Sequence, residues 1–220
     1  PIPGGGMQVL PSDAFDPDDA RARIAAAAGA PMEALERALD LGLNVFSFTD
    51  NVALKDEVRL KQKAHEKGLL FMGPDCGTGV ISSVPVAFTN VINPGNIGIV
   101  GASGTGIQEV TCAIDRMGGG CVHAIGTGGR DLNAKVGAVT VKDAIVALEN
   151  HDATDVICVI SKPPAPEVRD EVVDLLEKCT KPVVAIFIGE KPEAHQGKVY
   201  LAHTLEETAR IAVDLARGEA

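Results

Sequence analysis

The chain is poor in aromatic residues: its 220 residues include no Trp, one Tyr and six Phe, which together make up 3%. A core without large rings must be filled by Val, Ile, Leu and Ala, a filling that is typical of a buried parallel sheet. No apolar run in the sequence is long enough to span a bilayer. Because hydrophobic residues still account for 45% of the sequence, we expect a soluble globular protein with no membrane partner.

Positive charge is also scarce, since 20 Lys and Arg face 30 Asp and Glu and leave a formal net charge of -10. This balance argues against nucleic acids and anionic membranes as partners. The five cysteines form no C-x-x-C pair, which predicts free thiols and a reducing, cytoplasmic location. The histidines lack metal-ligand spacing, so no metal site is predicted. The N-terminus shows no signal-peptide pattern, and its first residue, Pro1, leaves open that the chain is a piece of a longer protein.

The order of elements predicts an α/β fold in three parts. Residues 1–30 are expected to be a poorly ordered or linker segment, in which the Ala run at 25–28 could instead form a peripheral helix. Residues 31–80 alternate helix and strand, as in the later part of a doubly wound unit. Residues 81–220 alternate strand and helix at a rhythm that predicts a parallel sheet with right-handed crossovers. In this last part, Thr140 and Thr204 are predicted to cap helices.

The stretch 96–110 is the most informative part of the sequence. Ile97, Ile99 and Val100 predict a strand buried on both faces, and a glycine-rich turn then opens a helix. Ser103 is a good N-cap, and the free N–H groups of the first helical turn would form a seat for a phosphate or carboxylate. The predicted anion-binding residues are Ala102, Ser103, Gly104, Thr105 and Gly106. The alternative is a tight strand-to-helix turn with no ligand.

Two further predicted strands end in loops that would face the same crevice, because open parallel sheets bind ligands beyond the carboxyl ends of their strands. Arg130 and Lys162 supply cations in an otherwise acidic chain, and we expect them to be catalytic by holding an anionic substrate. For Arg130 the alternative is an ion pair with Asp131 or with a helix carboxylate. Five residues of the first loop are predicted to bind substrate: Gly126, Thr127, Gly128, Gly129 and Asp131.

Several sharper motifs are excluded. The turn at 101–106 lacks the Lys-Ser/Thr of a P-loop, and Thr105 stands where a G-x-S-x-G nucleophile elbow needs Gly. The next predicted strand ends without the acidic residue that would hold a ribose, which argues against a dinucleotide site. His123 lies within that strand and is expected to be a core residue rather than a catalytic base.

Four motifs in this order resemble the FdrA family, which is related to the α subunit of succinyl-CoA synthetase. They lie at 73–77, 95–105, 124–131 and 161–165, and the resemblance covers roughly residues 33–210. It implies a partial Rossmann-like CoA-binding-type domain at 31–80, followed by a flavodoxin-like, doubly wound, succinyl-CoA synthetase-like ligase domain at 81–220. It also implies that Asp75 and Cys76 lie near CoA and that the chain works in a homo- or hetero-oligomer.

The resemblance implies acyl or carbamoyl transfer. The leading hypothesis is carbamoyl transfer between phosphate and a small carboxylate such as oxamate in purine or allantoin breakdown. The alternatives are an ADP- or GDP-forming acyl-CoA synthetase with altered catalytic residues, and a non-catalytic subunit completed by a partner chain. CoA and phosphate are the candidate cofactors. The synthetase phosphohistidine loop, Gly-His-Ala-Gly-Ala, is absent, and His195 in the corresponding region does not sit in that pattern. Carbamoyl transfer needs a bound phosphate and positioning but no phosphohistidine.

Overall fold

The computed structural model describes residues 7–9, 24–27, 32–191 and 198–219, which form eleven strands and six helices. The strands are β1 (Met7–Val9), β2 (Ile24–Ala27), β3 (Asn44–Ser47), β4 (Phe71–Met72), β5 (Thr78–Ile81), β6 (Val84–Ala87), β7 (Ile97–Gly101), β8 (Cys121–Gly126), β9 (Val156–Ser161), β10 (Val183–Phe187) and β11 (Val199–Leu201). The helices are α1 (Met32–Asp40), α2 (Leu54–Glu66), α3 (Gly104–Arg116), α4 (Val139–Glu149), α5 (Pro166–Leu176) and α6 (Leu205–Arg217). Within the described ranges, no helix combines the length and the apolar character needed to cross a membrane.

The strands form two sheets. The smaller sheet has the order β1-β2-β3-β4, and the larger sheet has the order β11-β10-β9-β7-β8-β5-β6. In the larger sheet, β7 to β11 pair in parallel, whereas β5 and β6 form an antiparallel hairpin that extends the sheet along β8. The predicted α/β fold with a doubly wound, mostly parallel sheet is therefore confirmed.

The five parallel strands have the flavodoxin-like order, which reads 2-1-3-4-5 when β7 is counted as the first. The connection from β7 through α3 to β8 leads toward one edge of the sheet, and the connection from β9 through α5 to β10 leads toward the other. The direction of winding therefore reverses between β7 and β9. Open α/β sheets bind ligands beyond the carboxyl ends of the strands at such a reversal.

Both faces of the parallel part of the larger sheet are buried, as the sequence of β7 predicts. Ile97 and Ile99 pack on one face with residues of α3 and α6, and Val100 packs on the other face with residues of α4 and α5. Every residue of β7, β9 and β10 is buried. Helices on both sides leave room for branched aliphatic side chains in the strands, which accounts for the low aromatic content.

The smaller sheet shares apolar packing with the larger one. Phe46 of β3 and Met72 of β4 belong to the same buried cluster as Val100. The chain leaves the smaller sheet after Met72 and enters the larger sheet at Thr78, so the boundary predicted near residue 80 falls inside β5. The Ala run takes part in strand β2 rather than in the peripheral helix that was one option. Residues 1–6, 10–23 and 28–30 of the predicted linker lie outside the described residues.

Two of the three predicted helix caps are confirmed. Ser103 Oγ accepts the N–H of Gly106 at 3.2 Å, and Thr204 Oγ1 accepts the N–H of Glu207 at 3.0 Å. The prediction for Thr140 is wrong, because α4 begins one residue earlier, after a left-handed Ala138 with φ of 53°. The buried Thr140 hydroxyl instead donates to the Phe71 carbonyl at 3.0 Å and so joins α4 to the smaller sheet.

Candidate anion-binding site

The three loops predicted to carry chemistry meet at Gly129. A Cβ built on Gly129 would lie 2.8 Å from Nζ of Lys162 and 3.9 Å from the carbonyl oxygen of Ala102. Ala102 follows β7, Gly129 lies beyond β8 and Lys162 follows β9, so the carboxyl ends of three parallel strands converge here. These carboxyl ends lie next to the point in the sheet where the winding reverses, between β7 and β9.

The first turn of α3 presents backbone donors at this edge. Ser103 is buried and caps the helix, so the N–H of Gly106 is already satisfied. The first N–H groups of a helix have no intrahelical acceptor. Within the described part of the chain, no hydrogen bond occupies the N–H of Gly104 or of Thr105. The positive end of the helix dipole adds to these donors, and the turn is therefore suited to an anion.

Lys162 is a cation that its surroundings leave uncommitted. Its side chain is exposed, and over the described ranges it has no hydrogen bond or ion pair. Its ammonium group occupies the space that a side chain on Gly129 would need. Gly129 therefore permits the ammonium to approach the backbone of the loop.

A buried charge cluster, formed by Glu57, Lys61, Arg130 and Asp131, lies behind this loop. Nζ of Lys61 donates to Oδ1 of Asp131 at 2.5 Å and to the carbonyl of Thr127 at 2.8 Å, and its side chain is fully buried. The buried carboxylate of Glu57 lies 3.2 Å from Lys61 and 2.7 Å from Arg130. Neither of these contacts has hydrogen-bond geometry, so they act as ion pairs by proximity alone. Lys61 and the two carboxylates are removed from water, whereas the side chain of Arg130 is 43% exposed and lies on the solvent side of Glu57.

Asp131 and Arg130 are held by protein groups in this cluster. Oδ2 of Asp131 accepts the N–H of Val141 at 2.8 Å, so both carboxylate oxygens have protein partners. Arg130 donates Nη2 to the carbonyl of Val52 at 2.8 Å and pairs with Glu57, which is the helix-carboxylate alternative foreseen for it. Substrate contact by these two residues stays a prediction, whereas their observed contacts fix the backbone of the loop.

The segment before β5 packs against the same loop. A Cβ on Gly126 would collide with Sγ of Cys76, and a Cβ on Gly128 would collide with the carbonyl oxygen of Pro74. Burial raises the pKa of the Cys76 thiol, so this sulfur is a thiol rather than a nucleophilic thiolate at neutral pH. Asp75 is exposed beside it and donates its N–H to the carbonyl of Thr49 at 3.0 Å. The CoA contacts implied for Asp75 and Cys76 stay predictions.

Sequence reasoning missed Glu57 and Lys61. A signal was present, because Glu57, Leu60, Lys61 and Ala64 recur at helical spacing and form the buried stripe of α2. Two charged residues on such a stripe indicate a buried ion pair. The Thr127 hydroxyl, predicted to bind substrate, is buried and has no hydrogen-bond partner in the described part of the chain. The region corresponding to the phosphohistidine loop, with His195, lies outside the described residues.

A cavity of about 450 Å³ lies at the opposite end of the parallel strands, where β7 and β8 begin. Its walls come from 93–96 and 118–120, which precede β7 and β8, and from the end of α6. Arg217 in its wall is committed to the carbonyl of Met117 at 2.7 Å. This cavity is therefore separate from the convergence at Gly129.

Residues 92–189 match the family model described as CoA binding domain. The match lies within the predicted 81–220 unit and not within 31–80. The uncharacterized protein YahF of Escherichia coli K12 is 51% identical over 182 residues, which cover 82% of this chain and 35% of YahF. The malate–CoA ligase alpha subunit of Methylorubrum extorquens is 27% identical, over 74% of this chain and 55% of that subunit. The ADP-forming succinate–CoA ligase alpha subunit 1 of Archaeoglobus fulgidus is 25% identical, over 82% of this chain and 63% of that subunit. The chain thus spans between about a third and under two thirds of these relatives.

Solved structures share the fold. The dinucleotide-forming acetyl-coenzyme A synthetase 1 of Ca. Korarchaeum cryptofilum superposes with a TM-score of 0.66 at 14% identity, over 92% of this chain and 50% of that one. The ATP citrate lyase of Methanosaeta concilii superposes with a TM-score of 0.59 at 21% identity, over 86% of this chain and 33% of that one. The predicted succinyl-CoA synthetase-like fold class is confirmed, and these likenesses concern the fold alone.

Proposed function

We propose that the chain is the α-type module of an enzyme of the acyl-CoA ligase class, and that it holds the phosphate or carboxylate of an acyl donor at the start of α3. The observation that carries this proposal is the convergence at Gly129. There, the unoccupied N–H groups of the α3 turn, the loop that holds Gly129 and the uncommitted ammonium of Lys162 follow three adjacent strands, β7, β8 and β9. Such donors stabilise negative charge without any side-chain nucleophile.

The similar proteins support this class. The relatives with named activities are alpha subunits of malate–CoA and succinate–CoA ligases. The Korarchaeum structure is a complex with phosphate and ADP, and the Methanosaeta structure is a complex with citryl-CoA. Because those relatives are subunits, we propose that a further subunit completes the site of this chain and that CoA is its acyl acceptor.

In the proposed reaction, the N–H groups of Gly104 and Thr105 and the hydroxyl proton of Ser103 bind oxygens of the phosphoryl group. Lys162 neutralises the charge that grows on the phosphate as the acyl group leaves it. The buried charge cluster keeps the 126–131 loop in place, so the donors need no rearrangement when the charge develops. Cys76 stays a neutral thiol throughout.

Carbamoyl transfer, as in FdrA-type proteins, is the second candidate. One observation favours it: the sequence lacks the Gly-His-Ala-Gly-Ala phosphohistidine loop, and carbamoyl transfer needs a bound phosphate and positioning but no phosphohistidine. Transfer between carbamoyl phosphate and a small carboxylate such as oxamate would use the same donors. The phosphate would rest at α3 and the acceptor carboxylate at Lys162.

We expect Lys162→Met to weaken the binding of inorganic phosphate about ten- to a hundredfold, because a charge-assisted contact contributes about 1.5–3 kcal/mol. Gly129→Ala should weaken it less, since the new Cβ would lie 2.8 Å from Nζ and the flexible ammonium shifts to relieve the contact. Isothermal titration calorimetry with phosphate at low ionic strength measures both effects.

The matched control is Lys178→Met, which removes an exposed lysine between α5 and β10. This lysine lies on the side of the sheet where the parallel strands begin, away from Lys162. It should leave phosphate affinity unchanged. Equal affinity in the wild type, Lys162→Met and Gly129→Ala would remove Lys162 from the site. Assays of phosphate release from acetyl phosphate with CoA, and from carbamoyl phosphate with oxamate, distinguish the two candidate reactions.

A further inference from the structure

An aromatic ring is exposed at the rim of the candidate site, although the chain contains few aromatic residues. Phe88 follows β6, and 72% of its surface is exposed. Its ring lies on Gly77, since a Cβ there would be 2.7 Å from Cδ2 of Phe88. The exposed ring offers apolar surface from which a ligand can displace water.

Gly77 places this ring between two of the three converging loops. The preceding residue, Cys76, touches Gly126 at the start of the 126–131 loop. The following residue, Thr78, has its Oγ1 3.1 Å from the position of a Cβ on Gly104, in the first turn of α3. The ring of Phe88 therefore covers the backbone that joins the loop to the anion-binding turn.

The backbone of Phe88 is held in place by hydrogen bonds. The N–H of Phe88 donates to the carbonyl of Gly77 at 2.7 Å, and the Phe88 carbonyl accepts Nε2 of Gln108, on α3, at 2.7 Å. Ala87 before it has φ of 56°, a left-handed conformation that costs energy for a residue with a side chain and persists where the surroundings enforce it. Gln108 thus links the position of Phe88 directly to the helix whose start would bind the anion.

Aromatic contacts support the ring from behind. Phe48 meets the ring of Phe88 edge-on at 6.3 Å and the ring of the buried Phe46 edge-on at 5.5 Å. The three rings therefore form a continuous row from the buried Phe46 through Phe48 to the exposed Phe88. A ring supported in this way offers a fixed apolar surface and loses little freedom when a ligand covers it.

We propose that Phe88 determines substrate specificity by packing against the apolar part of the substrate, whose anionic group sits at the start of α3. The substrate class is then an organic acyl phosphate or acyl thioester with an aliphatic portion, rather than a wholly polar donor such as carbamoyl phosphate. This inference rests on the proposed function and selects between its two candidate reactions. Methylene groups contribute favourable binding free energy when they leave water and contact the ring. A polar carbamoyl group contributes none there.

Calorimetric titrations with inorganic phosphate, methyl phosphate and butyl phosphate test the proposal. In the wild type, butyl phosphate should bind about tenfold more tightly than methyl phosphate. Phe88→Ala should bring this ratio close to one and leave the affinity for inorganic phosphate unchanged. Phe88→Leu, which keeps an apolar side chain, should retain much of the ratio. Val91→Ala, at a neighbouring residue that is 90% exposed, should retain all of it.

An equal affinity for methyl and butyl phosphate in the wild type, or an unchanged ratio in Phe88→Ala, would overturn the inference while phosphate binding itself stands. A change of molar mass by light scattering in Phe88→Ala, with the ratio unchanged, would also overturn it and assign the ring to a subunit contact. A wild-type protein that binds no phosphate at all would instead overturn the proposed function.

Discussion

Replacing Lys61 by Met is expected to lower the free energy of unfolding by about 3–5 kcal/mol, because it removes one partner from a buried set of charges. Lys61 is fully buried and touches both Glu57 and Asp131, so the variant would leave Asp131 without a cation and Glu57 paired with Arg130 alone. Met has a similar length and is apolar, so lost packing contributes little. Urea unfolding followed by circular dichroism at neutral pH measures the change.

Lys63→Met on the same helix is the matched control. Lys63 pairs with Glu36 and Asp40 at 3.0 and 2.9 Å, but all three residues are open to solvent, so the loss should be far smaller. The combined variant Glu57→Gln, Lys61→Met and Asp131→Asn should recover part of the stability, since no uncompensated charge is left buried. If Lys61→Met proves no more destabilising than Lys63→Met, the cluster does not stabilise the fold as described.

Stability should also fall by about 3 kcal/mol as the pH is lowered from 6.5 to 4, because of His123. Nδ1 of His123 accepts the N–H of Ser82 at 3.2 Å, so the neutral ring carries its proton on Nε2, which faces Nε2 of His151 at 3.3 Å. Burial, with the neighbouring His151 as a smaller cause, lowers the pKa of His123 from 6.5 to about 4. The unfolded chain takes up a proton below pH 6.5 and the folded chain resists it, so stability is full above 6.5 and is lost toward 4.

Urea unfolding at pH 7.5, 5.5 and 4.5 follows this loss, and His123→Asn should remove most of it. The Asn Oδ1 can still accept the Ser82 N–H, but the side chain does not titrate. His203→Asn is the control, because it replaces an exposed histidine outside the contact of His123 with His151 and should keep the loss. The carboxylates of Glu36 and Asp40, whose pKa values are lowered from 4.5 and 3.8 by hydrogen bonds with Arg59 and Lys63, lose their contribution from the acidic end of this window downward, equally in the wild type and in His123→Asn. An unchanged slope in His123→Asn would contradict the assignment.

The fold was predictable from the sequence wherever local signals and burial agree. The apolar run of β7, the glycine turn and the cap at Ser103 all specify the same strand-to-helix junction. Regular alternation of strands and helices then specifies a parallel sheet, because its right-handed crossovers leave few alternatives. The convergence of three loops followed from the same rule, since the ends of adjacent parallel strands share one edge.

Features that depend on contacts between distant segments were not predictable in this way. Strand β5 begins in a glycine-rich stretch, and its pairing with β8 is what makes it a strand. Thr140 resembles a cap locally, yet its hydroxyl serves Phe71, which lies 69 residues away in sequence. Arg130 looked available to a substrate because its partner, Glu57, sits on a helix of the other unit. The charge pattern of α2 indicated burial but not which loop would supply the opposite charges.

The packing of Gly126 and Gly128 against the 73–78 segment has a mechanical consequence. Gly128 lies against the carbonyl oxygen of Pro74, and Gly126 lies against the carbonyl oxygen of Thr78 and Sγ of Cys76. Rotation of one unit against the other would force main-chain atoms into one another, so the joint is rigid. Enclosure of a bound molecule must therefore come from outside this joint, through side chains such as Lys162 or through a second polypeptide arriving at the rim.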